Sequence, residues 1–197
     1  MAEGGGPMIL GGRDMFFHII EHAARHGRWS SVDRIYWAYS LAKNYHRPQM
    51  RRGGNRYFDH CKAVPLILVQ FGPTRTSEVV IGLLHDAYED QFIPQGMLQQ
   101  LFGPDIERSI YLLSHHRPVY SERGRIDKVS LEASEYYAEL MTAPLETRRV
   151  KIADRLHNLQ TLGSFSKDKQ RAKLAETRLY VYPLAQSTDD RMYIELQ

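Results

Sequence analysis

Residues 78–90 read Glu78-Val79-Val80-Ile81-Gly82-Leu83-Leu84-His85-Asp86-Ala87-Tyr88-Glu89-Asp90, an apolar run that ends in four metal- or proton-active side chains. Val79, Val80, Ile81, Leu83 and Leu84 suit a helix buried nearly all round, with Thr76 or Ser77 as its cap. The pattern predicts one central helix from about 78 to 90. On such a helix His85 lies one turn from Glu89 and Asp86 one turn from Asp90, so two adjacent faces present four groups to one spot. Three of the four are carboxylates, whose repulsion asks either for a cation or for a solvated helix end.

Outward from this segment most of the chain repeats the helical period, and little of it shows strand-like alternation, so the expected class is all-α. Helices are predicted over 15–26, from 31 to 46 with Pro48 as a stop, and over 61–71 with Pro65 in the first turn. Between the last two lies a basic, glycine-containing loop, Arg51-Arg52-Gly53-Gly54-Asn55-Arg56. Two shorter helices, 94–102 and 105–115, are separated by Gly103-Pro104. Residues 114–127 read as a polar, basic loop, and helices over 131–141, 144–162 and 167–184 complete the chain.

At 197 residues, with 43% apolar and 25% charged residues, the composition supports one core and hence a single domain. Its expected bounds are 15–190, between a lead-in over 1–14 and a tail over 191–197. A single cysteine, Cys61, excludes an internal disulfide and fits a reducing compartment. The longest apolar runs fall far short of the roughly 20 residues of a membrane span. No secretory signal is read at the start of the chain. The net charge of +3 is spread among mixed signs, without the basic stripe of a nucleic-acid binder. Nine histidines prompt a search for clusters, of which His18, His22 and His26 at a spacing of four and the pair His115-His116 stand out. Trp29, Tyr36 and Trp37 suit a homo-oligomer face and a core equally well.

A second helix carries a polar row beside a core stripe. Asp154, Asn158 and Thr161 fall on one face, next to Ile152, Leu156 and Leu159. That is the pattern of a site wall, although Asp154 taken alone is better read as paired with Arg155 or capping a turn. Upstream, Tyr57-Phe58-Asp59-His60 places a histidine at a helix start beside the basic loop.

Together these segments resemble the metal-dependent HD-domain phosphohydrolases, and within them the hydrolase domain of the RelA/SpoT homologues. The resemblance is carried by Arg51-Arg52-Gly53-Gly54 and Tyr57 leading to His60; by Leu83-Leu84-His85-Asp86 with Glu89-Asp90; and by 151–159 with Thr161-Leu162. Lys169-Gln170-Arg171, Glu176-Thr177 and Pro183-Leu184-Ala185 continue it, so that it spans about 30–185. It implies a single-domain HD-type helical bundle acting as a stand-alone small alarmone hydrolase. Such an enzyme is cytoplasmic, uses Mn²⁺, and removes the 3′-pyrophosphate of a nucleotide, (p)ppGpp or (p)ppApp.

Residue by residue, the resemblance makes His60, His85, Asp86 and Asp154 the metal ligands, an oxygen-rich set that suits Mn²⁺. Glu89 and Asp90 become the acidic pair that activates water beside the cation. Arg51, Asn158, Thr161 and Arg171 become the contacts to nucleotide and phosphate. Lys151 is left to a solvated rim, Cys61 to packing, and Tyr57 to packing or to a contact with the base. Gln91, Arg56 and the stretch Leu113-Ser114-His115-His116 depart from the family pattern and leave substrate choice open. Another nucleotide, such as NADPH or a nucleoside monophosphate, would use the same metal apparatus. A non-catalytic nucleotide-binding module would be marked by a broken ligand set or acidic pair, and both are intact here.

Overall fold

The computed structural model describes residues 29–90, 93–94, 96–120 and 126–197, the side chains of Trp29, Ser30, Asp90 and Ile126 excepted. The predicted 15–26 helix, its three histidines and Gln91 lie outside the described residues. In chain order the elements are α1 (Trp29–Tyr45), α2 (Tyr57–Gln70), α3 (Thr76–Leu84), α4 (Ala87–Asp90), α5 (Met97–Phe102) and α6 (Pro104–Leu113). An antiparallel hairpin follows, β1 (His116–Tyr120) with β2 (Ile126–Ser130), and then α7 (Ala133–Thr142) and α8 (Leu145–Gln160). A 3₁₀ turn (Leu162–Ser164), α9 (Lys167–Glu176), a π-helical turn (Thr177–Val181), α10 (Tyr182–Gln186) and α11 (Asp190–Leu196) close the fold. The class is all-α, as expected, with this small hairpin added.

The apolar run does what its composition dictates. Val79, Val80, Ile81, Leu83 and Leu84 are at most 1% exposed, and α3 packs against α1, α2 and α8. Those neighbours supply Ile35, Ala38 and Ala42; Cys61, Val64 and Leu68; and Val150, Ile152 and Ala153. α2 comes close to α3 at Gly82, where a Cβ would stand 3.2 Å from Pro65 Cδ and 3.4 Å from Val64 Cγ1. A side chain at position 82 would therefore push the two helices apart. Because α2 begins at Tyr57 and not at 61, Pro65 sits in its interior and not in its first turn.

Three other expectations change. The 78–90 helix breaks at His85-Asp86, where His85 Nδ1 bonds the Gly82 carbonyl at 2.8 Å, the acceptor that Asp86 N–H would use in an unbroken helix. Part of the 114–127 loop is strand, with His116 opposite Ser130 and Tyr120 opposite Ile126. Arg117 anchors it from its buried face, bonding Glu139 at 2.6 Å and lying over the Tyr111 ring. The 167–184 helix is interrupted by the π turn, two residues after which Pro183 has no N–H to give its preceding turn.

Residues 191–197, read in the sequence as a tail, lie almost wholly in α11. Asp189 caps this helix, and Met192 and Leu196 are buried. Tyr36 and Trp37 are 55% and 65% exposed, which removes the core reading for both.

Candidate metal centre

Three helices bring the predicted ligands together: α2 supplies His60, the α3–α4 break supplies His85 and Asp86, and α8 supplies Asp154. The Nε2 atoms of His60 and His85 face each other at 3.1 Å, and both residues are buried. Asp86 Oδ2 lies 3.0 Å from His85 Nε2 and 3.5 Å from His60 Nε2. Asp154 Oδ1 lies 3.2 Å and 3.7 Å from His60 and His85. The helix break makes this possible, since it lets two consecutive residues aim at one point.

Hydrogen bonds from neighbouring groups hold these donors in place. His85 commits Nδ1 to the Gly82 carbonyl, so its Nε2 faces the cluster. His60 Nδ1 lies 2.7 Å from His157 Nδ1, which Arg51 Nη1 also approaches at 3.2 Å. Burial, with the Arg51 guanidinium behind it, pushes His157 down to about 3 and keeps it neutral. Arg51 can only donate, so His157 Nδ1 is the acceptor and His60 Nδ1 carries a proton, leaving the His60 Nε2 lone pair on the cluster. Tyr57 OH donates to Asp86 Oδ2 at 2.7 Å, and Asn158 Nδ2 donates to Asp154 Oδ1 at 2.6 Å.

Lys151 does not lie on the solvated rim. It is mostly buried, bonds Asp154 Oδ2 at 3.1 Å and rides 5.3 Å above the Tyr136 ring centroid. Burial raises the pKa of Asp154, but Lys151 and the two histidines outweigh it and hold the carboxylate well below its usual range. Burial likewise opposes charge on His85, yet Asp86 and Asp154 lift it to about 9.

Ligands held at about 2.0–2.2 Å from one ion lie roughly 3.0–3.6 Å from one another, close to the imidazole–carboxylate separations here. Two inward-facing imidazole nitrogens flanked by two ionised carboxylates are a donor set that fits a divalent transition metal.

The centre opens into a polar cavity of about 340 Å³ whose walls include Glu89, Lys151, Arg155 and Lys173. Glu89 Oε1 accepts the backbone N–H groups of His115 at 2.6 Å and His116 at 3.2 Å. Burial, and after it the Asp86 charge, pushes its carboxyl above the ordinary range. Asp90 ends the same short helix, and its side chain lies outside the described atoms.

A second, more apolar cavity of about 560 Å³ adjoins the first and shares Arg51, Tyr57 and His60 with it. Arg51 is placed by a tight turn in which it bonds Asn55 O and Gly54 N–H, with Gly54 at φ +82. Its guanidinium donates to Asn158 Oδ1 at 2.5 Å and to Thr161 Oγ1 at 3.4 Å. Three of the four predicted nucleotide contacts therefore meet. Arg171 does not join them: it is 82% exposed on α9, 3.9 Å from Asp168, and lines neither cavity. Two positions along a helix are about 200° apart, so Lys173 takes the inward phase and Arg171 the outward one. Lys173 was missed for the same reason, that helical phase cannot be assigned without the packing partner, and Glu176, quoted within the resemblance, was given no role there.

A profile of the HD domain matches residues 38–189. The chain belongs to the HD-domain family. Within this family, it is 34% identical over 175 residues to the GTP pyrophosphokinase rsh of Brucella melitensis, covering 86% of this chain and 22% of that protein. It is 31% identical over 148 residues to a probable chloroplastic GTP diphosphokinase of Oryza sativa subsp. japonica, covering 73% of this chain and 21% of that one. The HD domain described here thus spans about a fifth of the length of these relatives. A solved structure titled "A metazoan ortholog of SpoT hydrolyzes ppGpp and plays a role in starvation responses" shares the HD fold with a TM-score of 0.66 at 20% identity, covering 83% of this chain and 91% of its own.

Proposed function

We propose that this HD domain catalyses Mn²⁺-dependent hydrolysis of the 3′-pyrophosphate of (p)ppGpp, (p)ppApp or both, giving GDP or GTP, or ADP or ATP, plus pyrophosphate. The observation that carries the reading is the convergence of His60, His85, Asp86 and Asp154 at the junction of a cation-lined cavity with a more apolar one. The ppGpp hydrolysis stated for the metazoan structure supports a substrate of this class, and the relatives named for GTP pyrophosphokinase activity are in keeping with a guanine nucleotide.

In this reading the four converging residues hold the cation, which when bound supplies Lewis acidity against the phosphoryl charge and toward water. Glu89 and Asp90 take the proton of the attacking water. Its oxygen ends on phosphorus, the bond from that phosphorus to the ribose 3′-oxygen breaks, and the 3′-oxygen gains a proton. Lys151 fixes Asp154 and places a positive charge on the wall where the diphosphate lies. The nucleoside occupies the second cavity beside Arg51 and Thr161, with Asn158 on the wall of the first. Among the described residues no helix is long and apolar enough to cross a membrane, and the reading places the enzyme with its nucleotide in the cytoplasm.

The test is turnover of ppGpp and ppApp with Mn²⁺, with and without EDTA, reading GDP or ADP and pyrophosphate by chromatography. Release that EDTA abolishes is expected. No release from a folded, Mn²⁺-loaded chain overturns the reading and turns the assay to NADPH and nucleoside monophosphates.

Arg51→Ala is expected to raise KM by about 10- to 100-fold with kcat little changed, the worth of roughly 1.5–3 kcal/mol for a charged hydrogen bond. Steady-state kinetics check this, and an unchanged KM removes Arg51 from the substrate. His157→Phe keeps a ring but removes the acceptor that sets the His60 tautomer, and is expected to weaken Mn²⁺ binding about 10- to 100-fold by calorimetric titration.

A further inference from the structure

The pair His115-His116, which departs from the family pattern, lines the same polar cavity as the metal centre without belonging to it. We propose that His115 and His116, with Glu89, hold a second divalent transition-metal cation. One donor atom from each of the three lies within 4.8 Å of the other two. Two imidazoles and one carboxylate form a set such ions accept, with positions left over for water or substrate.

The supports of this cluster resemble those of the first centre. Glu89 Oε1 is held by the backbone N–H groups of the two histidines themselves, which ties the carboxylate to the segment that would share its ion. His116 Nδ1 lies 2.6 Å from Ser130 Oγ on the paired strand, a contact that fixes the ring. The His115 ring packs edge-on to buried Tyr136, with centroids 5.1 Å apart. Lys128 Nζ bonds the Glu89 backbone carbonyl, so the hairpin and α4 are joined beside the cluster. An anion would meet the Glu89 carboxylate at this place, and a cation is the ligand the set favours.

The cluster's role, though not its existence, rests on the alarmone-hydrolase reading. A second cation in this cavity would share the charge of a substrate diphosphate with the first, as paired ions do in other phosphoryl hydrolases.

The test is metal stoichiometry on the full chain. Metal-stripped protein is dialysed to equilibrium against Mn²⁺ alone, and bound ion is counted in wild type, in His115→Gln/His116→Gln, and in His115→Asn/His116→Asn as a second replacement, each checked for folding by circular dichroism. The inference stands if the folded double variants bind one equivalent fewer than wild type. It falls if they bind the same number. His85→Gln separates the two centres, since it removes an equivalent of its own only where the His60–His85 centre takes metal. Failure of that centre, and with it the proposed reaction, is thus read independently of failure here.

Discussion

Replacing Asp86 with Asn is expected to strip the cation from the His60–His85 centre and to lower turnover by about a thousandfold or more. Asn keeps the shape and one acceptor oxygen, so Tyr57 still has a partner at the place where it now donates at 2.7 Å. What disappears is the negative charge 3.0 Å from His85 Nε2. A cation at a phosphoryl group is worth several kcal/mol in the transition state, and each 1.36 kcal/mol is tenfold in rate. Asp154→Asn would be the poorer experiment. Asp154 is also the partner of the mostly buried Lys151, whose ammonium, unlike the His85 imidazole, stays charged when its carboxylate is lost, and leaving it unpaired costs about 3–5 kcal/mol of stability, which would confound a metal effect with unfolding. For Asp86→Asn the checks are metal content by mass spectrometry, melting temperature, and pyrophosphate release with Mn²⁺ in excess. Full metal content together with full rate would remove Asp86 from the centre.

What could be read from the sequence follows from how much each inference depended on partners. Val79 to Leu84 could become little else than a buried helix, and the histidine and carboxylates at its polar end had to lie close together whatever the tertiary fold. The row Asp154, Asn158, Thr161 was equally local, and its first two members are bonded to each other as the spacing implies. The break at His85-Asp86 was hidden, as was the bond of one imidazole there to a backbone carbonyl of the helix ladder. Lys151 was hidden more deeply. A lysine reads as solvated by default, and only the placement of Asp154 and Tyr136 around it makes burial affordable. The hairpin escaped because five-residue strands show too little alternation, and Pro118 inside β1 argues against a strand. His60, His85 and Asp154 come from three separated segments. Only the packing of α2, α3 and α8, with the close approach at Gly82, turns three local hints into one centre.

Glu89→Gln should lower kcat by about a hundred- to ten-thousandfold while KM and the ion of the His60–His85 centre are retained, the range associated with losing a positioned general base. The metal of that centre should be spared because Glu89 is not among the four side chains, of His60, His85, Asp86 and Asp154, that converge there. Binding is spared because the contacts made by Arg51, Asn158 and Thr161 stand on α8 and the basic turn, away from α4. The glutamine oxygen still accepts from the His115 and His116 amides, so the wall keeps its shape while the group loses its capacity to take a proton. His115→Gln/His116→Gln tells whether the loss comes from proton transfer or from the second cation. A fall in that variant equal to that of Glu89→Gln would mean that Glu89 acts through the ion it shares, whereas a much smaller fall assigns the loss to the proton. Full activity in Glu89→Gln combined with Asp90→Asn would remove both carboxylates from the reaction.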